Sequence, residues 1–118
     1  MKSPLRYPGG KTRAVTKLKE IIDDIYPKGD ICAPFLGGGS LELKLSENRK
    51  VYAYDAFYPL YNFWDCLLTD KERLVKEVRK EHPLNKSRFK HLREVLVSLK
   101  PGFPKSPTGA AAYFAINR

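Results

Sequence analysis

Apolar side chains recur every three or four residues over most of the chain, whereas the short segments 30–35 and 50–54 hold an unbroken apolar run after a charged first residue. The runs 30–35 and 50–54 predict strands, whereas the periodic segments predict amphipathic helices. The predicted helices cover residues 12–26, 59–68, 71–81, 87–99 and 108–118, with Thr12 and Ser87 as N-caps and Leu74, Val75 and Val78 facing inward on the third.

Segment 40–46 fits two structures. Its leucines alternate as in a strand, but a glycine-rich loop after a parallel strand usually opens a helix, and we favour a short helix. Two strands flanked by helices indicate an α/β fold. Because parallel sheets are normally buried on both faces, two strands seldom suffice, and we expect an incomplete sheet with an apolar edge or face left open. Residues 1–118 therefore look like the N-terminal half of something larger.

The chain is strongly basic, with a net charge of +9 over 118 residues. Such a charge indicates a polyanionic partner, most simply nucleic acid; the alternative is that the charge only keeps a small protein soluble. No apolar run approaches membrane-spanning length, and no N-terminal apolar segment resembles a signal peptide. Cys32 and Cys66 lie in apolar settings without metal-ligand spacing, so we expect no metal site and buried, reduced thiols in a reducing compartment such as the cytoplasm.

The segment 33–40, Ala-Pro-Phe-Leu-Gly-Gly-Gly-Ser, holds the strongest chemical signal. Glycines after a strand let a ligand approach the backbone, and Asp55, sixteen to eighteen residues beyond them, can accept two hydrogen bonds from a ribose diol. The dinucleotide fingerprint fails because Glu42 replaces its third glycine, and a phosphate loop ending at Thr12 fails because Leu5 replaces its first. A nucleoside ligand without a pyrophosphate, most commonly S-adenosylmethionine, fits better; the alternative is a loop that merely turns tightly.

Four segments together resemble the Dam-type DNA adenine methyltransferases. They are Tyr7-Pro8-Gly9-Gly10-Lys11, Pro34-Phe35-Leu36-Gly37-Gly38-Gly39, Tyr54-Asp55 followed by Leu60-Tyr61-Asn62, and Tyr113-Phe114-Ala115-Ile116-Asn117-Arg118. Each is weak alone, but all four occur in the family's order across the whole chain.

The resemblance implies a partial Rossmann-like fold that binds S-adenosylmethionine, and double-stranded DNA as partner. Lys11 matches a residue expected at the methionine carboxylate, the loop 35–39 wraps the methionine portion, and Asp55 holds the ribose. The implied cofactor residues are Tyr7, Lys11, Pro34, Phe35, Leu36, Gly37, Gly39 and Asp55, and the implied DNA-binding residues are Asn117 and Arg118. Three of these have simpler interpretations: Lys11 as a solvated lysine at a helix start, Asp55 as a turn cap, and Tyr7 as a packing residue.

The chain departs from the family pattern at three points. Ala33 stands where an acid often precedes Pro-Phe, Pro8 replaces a small residue, and no Pro-Pro pair occurs anywhere. The family's Asp-Pro-Pro-Tyr motif, which holds the flipped adenine, is therefore missing. We accordingly identify no catalytic residue. The hypothesis is an N-terminal segment of a site-specific DNA methyltransferase that modifies the exocyclic amine of adenine, inactive alone and completed by a second chain or a C-terminal half.

Two other functions stay open. The first is a small basic nucleic-acid-binding protein without catalysis, whose phosphate-contacting residues would be Lys2, Arg6, Lys11, Arg13 and Lys17. The second is a methyltransferase for RNA or a small molecule that shares the cofactor loop. The opening Tyr-Pro-Gly-Gly-Lys argues against the second, because that opening belongs to the DNA family's pattern.

Overall fold

The structure is a computed structural model that describes residues 2–7, 12–102 and 104–117. The chain divides into two compact units, the N-terminal unit Met1–Asp55 and the helical unit Ala56–Arg118. The elements are α1 (Val15–Ile25), β1 (Ile31–Ala33), α2 (Ser40–Leu45), β2 (Val51–Ala53), α3 (Tyr58–Thr69), α4 (Lys71–Lys80), α5 (Lys86–Ser98) and α6 (Pro107–Asn117). The short helix expected over 40–46 and the helical character of the other segments are confirmed.

The N-terminal unit is a two-stranded parallel sheet with two helices. β1 and β2 pair in the register Ile31 with Val51, and they are the only strands among the described residues. α1 packs against α2, and α2 packs against β2. α1 ends at Ile25 because Pro27 disfavours helical backbone in the residue before it, and Gly29 then turns the chain at a φ of +118°. A mixed helical fold with a small parallel sheet is therefore established, as the sequence predicts.

One face of this sheet is exposed. Cys32 pairs in register with Tyr52, and both side chains are exposed whereas the flanking strand residues are half-buried. Alternate strand residues share a face, so these two side chains mark a single open face. The expectation that both cysteines are buried is thus wrong for Cys32, because the described residues leave this face uncovered. Cys66 is buried, and that burial raises the pKa of its thiol.

The helical unit is built around α6. This helix contacts α3, α4 and α5, and its small residues Ala110–Ala112 are buried. Alanine side chains let neighbouring helices approach closely while adding no polar atoms to the core. Next to them, the ring of Phe63 stacks on Phe114 at 6.0 Å and meets Trp64 edge-on at 5.7 Å. The aromatic rings and the alanines together form the core of this unit.

A buried amide fixes the start of α6. Asn62, on α3, is only 1% exposed; its Nδ2 donates to the Ser106 carbonyl at 2.9 Å, and its Oδ1 accepts from the Ser106 N–H at 2.8 Å. Both polar ends of the amide are satisfied by the backbone of one residue, which avoids the cost of burying them unpaired. We call this pair of hydrogen bonds the Asn62 clamp. It joins the middle of α3 to the residue that precedes α6.

Several predicted details are wrong. The N-cap of α1 is Ala14, which has no capping side chain, and the hydroxyl of Thr12 instead lies 3.1 Å from that of Ser40. The N-cap of α5 is Asn85 rather than Ser87, and its side chain accepts from the Arg88 N–H at 2.8 Å. Val75 is exposed, so Leu74 and Val78 alone form the inward side of α4.

None of the helices in the described segments is long and apolar enough to cross a bilayer.

A charged pair joins the end of α4 to α5. Arg88 donates from Nε and from one terminal nitrogen to the two oxygens of Glu81, each at 2.7 Å, and Glu81 is 8% exposed. These hydrogen bonds hold the pKa of Glu81 below its ordinary value, against the burial that would raise it. A carboxylate whose pKa is lowered in the folded state adds stability above its unfolded pKa. That stability is lost as the pH falls through the folded value.

Replacing Arg88 with methionine should therefore lower the melting temperature at neutral pH, because Glu81 keeps its charge without a partner. The difference from the unmodified chain should narrow as the pH falls through the lowered pKa of Glu81, because the protonated carboxyl group carries no charge that needs a partner. Circular dichroism melts across this range measure the effect. Lys90→Met removes one positive charge from the same helix at an exposed position and serves as the control. An equal loss in both variants would contradict the assignment.

Candidate functional site

The parallel pairing brings the carboxyl ends of β1 and β2 to the same edge. Beyond the strands, the Tyr54 N–H donates to the Ala33 carbonyl and the Leu36 N–H donates to the Tyr54 carbonyl, both at 2.8 Å. The Gly37 N–H then donates to Oδ2 of Asp55 at 2.9 Å. The glycine loop after β1 and the acid after β2, which the sequence predicts as parts of one site, are therefore joined by a hydrogen bond.

The loop needs glycine at two positions because of its backbone. Gly37 has a φ of +54° and Gly39 a φ of +71°, a left-handed conformation that other residues adopt only with strain. The Gly39 N–H donates to the Leu36 carbonyl at 3.0 Å, which closes a tight turn. Gly39 is also the N-cap of α2. The chain thus reverses sharply and enters α2 directly at the mouth of the loop.

The N-terminal segment packs on this loop. A methyl group placed on Gly38 would lie 2.8 Å from Cβ of Tyr7, and one on Gly37 would lie 3.1 Å from the Tyr7 ring. The hydroxyl of Ser3 donates to the Gly38 carbonyl, and Leu5 is buried. Gly38 therefore serves close packing against Cβ of Tyr7 rather than an unusual dihedral angle.

These elements enclose a pocket of about 300 Å³ within the N-terminal unit, lined by Tyr7, residues 35–42 and Asp55. This volume is at the lower end of the range for small-molecule sites. Phe35, 86% exposed, stands at the rim, and the first turn of α2 supplies the opposite wall. Among the described lining residues, Asp55 and Glu42 are acidic and none is basic, so these walls favour a neutral or cationic ligand over a phosphate.

The pocket brings together six of the predicted cofactor residues, namely Tyr7, Phe35, Leu36, Gly37, Gly39 and Asp55. Pro34 is exposed and does not line it, and Lys11 lies outside the described residues. Asn117 ends α6 in the helical unit, and Arg118 lies outside the described residues. The described parts of the chain contain no cluster of three side chains suited to a metal ion.

Sequence reasoning included Gly38 only as part of the loop 35–39 and did not assign Ser40, Leu41 or Glu42 to the pocket. The signal available for the last three was their position: a helix that follows a glycine loop presents its first turn to that loop. Glu42 had been noted only as the residue that breaks the dinucleotide fingerprint, yet it lines the pocket. The residue that breaks the dinucleotide fingerprint is thus one of the residues that line the pocket.

Comparison with protein families gives a match that covers most of the chain. Residues 7–108 match the model of the D12 class N6 adenine-specific DNA methyltransferases. The chain belongs to this family, which confirms the resemblance; the first three motif segments lie within the match, and segment 113–118 lies beyond it. The curated proteins compared with it include no significant match.

Gly38→Ala should destabilise the chain by about 1–3 kcal/mol, because the new methyl group collides with Cβ of Tyr7. A second substitution at position 7 separates the contact with Cβ of Tyr7 from the contact with its ring. Tyr7→Ala keeps the colliding Cβ and should not relieve the cost of Gly38→Ala, whereas Tyr7→Gly removes that atom and should relieve most of it. Urea denaturation of the single and double variants measures these couplings. If Tyr7→Ala relieved the cost of Gly38→Ala as much as Tyr7→Gly does, the ring of Tyr7 rather than its Cβ would set the constraint.

Proposed function

We propose that this chain is the cofactor-binding part of an adenine-specific DNA methyltransferase, with a partial Rossmann-like fold and S-adenosylmethionine as its ligand. Its membership of the family supports this class of enzyme. The single observation that carries the cofactor proposal is the pocket in which the glycine loop and Asp55 meet. A loop that merely turned tightly would use Asp55 only to accept the Gly37 N–H, and it would need no pocket beside it.

The residues present fit this ligand. Asp55 bonds the loop through one oxygen and lines the pocket, where its carboxylate would accept hydrogen bonds from the ribose hydroxyls. Gly37 and Gly39 leave the backbone bare of side chains where the methionine portion would lie. Tyr7 and Phe35 offer aromatic faces, and Glu42 adds negative charge suited to a sulfonium cation. When bound, S-adenosylmethionine supplies the methyl carbon that is transferred.

Tyr7, Lys11, Pro34, Phe35, Leu36, Gly37, Gly39 and Asp55 are the proposed cofactor residues. Within this set, Pro34 is proposed only to shape the turn, because it does not line the pocket. Lys11 keeps its proposed role at the methionine carboxylate on the strength of the motif alone. It would provide the positive charge that the described lining lacks.

The residues that bind the adenine acceptor are proposed to come from a second chain or from a C-terminal half. The 118 residues contain no Pro-Pro pair and hence no Asp-Pro-Pro-Tyr motif. Without this motif, none of the proposed site residues holds the adenine amine beside the methyl donor. Positioning the two reactants is the main contribution of such an enzyme. Double-stranded DNA is the proposed substrate, and Asn117 and Arg118 are the residues proposed to begin its contacts.

Asp55→Asn should weaken binding of S-adenosylmethionine at least about tenfold, or about 1.4 kcal/mol, while the chain stays folded. The asparagine oxygen can still accept from the Gly37 N–H, so the loop keeps its bond, but the carboxylate charge at the diol is lost. Isothermal titration calorimetry measures both affinities. Asp65→Asn, a change of the same kind in the helical unit, is the control and should leave the affinity unchanged. The absence of binding heat from the unmodified chain would overturn the cofactor proposal.

The chain alone should not methylate DNA. Incubation with S-adenosylmethionine carrying a labelled methyl group and with duplex DNA should leave the DNA unlabelled, because no motif positions the adenine. Nuclease digestion and chromatography would detect N6-methyladenine above the level of a protein-free control. Its appearance in amounts that scale with protein would show that the acceptor site is contained in these residues.

A further inference from the structure

The excess positive charge of the chain is concentrated on two helices of the helical unit. Residues 71–98 hold nine Lys and Arg side chains against four Glu, which gives five of the nine net positive charges. α4 and α5 both pack against α6 through apolar side chains, with Leu74 and Leu92 buried. Their charged residues are therefore directed away from the core, towards solvent or a partner.

Two of the four acidic residues of this region form ion pairs within it. Glu81 is bound by Arg88 through two hydrogen bonds, and Glu77 pairs with Lys80 at 3.1 Å. These pairs neutralise two of the cations locally. The remaining cations determine the electrostatic potential of the surface.

Three of the remaining cations form a narrow line on α5. Lys86, Lys90 and Arg93 lie at positions i, i+4 and i+7 of one helix, so their side chains share one side of it. All three are exposed, and no ion pair of theirs is seen among the described residues. Over about 10 Å of helix they present three positive charges. We call these three residues the α5 stripe.

We propose that the α5 stripe binds the sugar–phosphate backbone of duplex DNA without reading its sequence, an inference that rests on DNA being the substrate under the proposed function. A duplex carries one negative charge about every 1.7 Å along its axis, so a straight line of cations of this length faces several phosphates at once. Lys and Arg are the side chains that make such contacts, and they fix orientation rather than sequence. The pocket of the N-terminal unit, by contrast, has no basic residue among its described lining.

The test compares two triple variants of the full chain with equal charge. One replaces Lys86, Lys90 and Arg93 with glutamine. The control replaces Lys17, Lys44 and Lys80 with glutamine, each of which is already paired with a glutamate in the structure. Fluorescence anisotropy with a labelled duplex, at salt concentrations from about 50 to 200 mM, gives the slope of log affinity against log salt.

The stripe variant should reduce the magnitude of this slope by about 2.7, or about 0.9 for each lost phosphate contact. The control variant should reduce it by less than about 1, because its lysines already face carboxylates. Lys90→Gln alone should reduce the slope by about 0.9, which supports the proposal even if the triple variant folds poorly. Equal slopes for the two triple variants would overturn the stripe, as would tight binding of duplex RNA with none of DNA.

The outcome is separable from that of the cofactor proposal. Calorimetry with S-adenosylmethionine uses the pocket of the N-terminal unit and needs no DNA, whereas the salt titration uses DNA and needs no cofactor. An absence of cofactor binding together with a reduced slope would refute the cofactor pocket and leave the α5 stripe standing. Normal cofactor binding together with unchanged slopes would support the cofactor pocket and refute the α5 stripe.

Discussion

The parallel pairing of β1 and β2 is the constraint on which the pocket depends. Because Ile31 pairs with Val51 and both strands run in the same direction, the residues that follow them emerge side by side. The hydrogen bond from Gly37 to Asp55 closes the gap between the two loops, and Tyr7 then packs on the glycines. An antiparallel pairing would place the loop and the acid at opposite ends of the sheet.

This small sheet gives the N-terminal unit few buried side chains. α1 has no fully buried residue, and the face bearing Cys32 and Tyr52 is exposed. The geometry of the pocket therefore rests on local bonds and on close packing of glycine against Tyr7 rather than on a large core. The helical unit differs, because α6 packs against three helices and buries Ala110–Ala112 completely. Within one chain, the pocket and the main core belong to different units.

The types of the elements could be predicted from periodicity, but their ends could not. Thr12 has the chemistry of a cap, yet its hydroxyl contacts Ser40, a residue far along the chain that no local pattern reveals. Likewise, Cys32 reads as a buried strand residue, but burial depends on what covers each face of the sheet. The glycine loop and Asp55 could be predicted because both follow strand ends. The position of the first turn of α2 after the glycine loop places that turn near the site, but which of its side chains line the pocket depends on how the helix packs.

The Asn62 clamp fixes the start of α6. Its two hydrogen bonds hold the backbone N–H and carbonyl of Ser106, and Asn117 lies eleven residues further on, about 16 Å away along a helix axis. With the start held, a tilt of α6 by about 10° would move the Asn117 end by nearly 3 Å, the length of a hydrogen bond. The position of that end is thus set jointly by one buried amide and by the three helices that pack against α6.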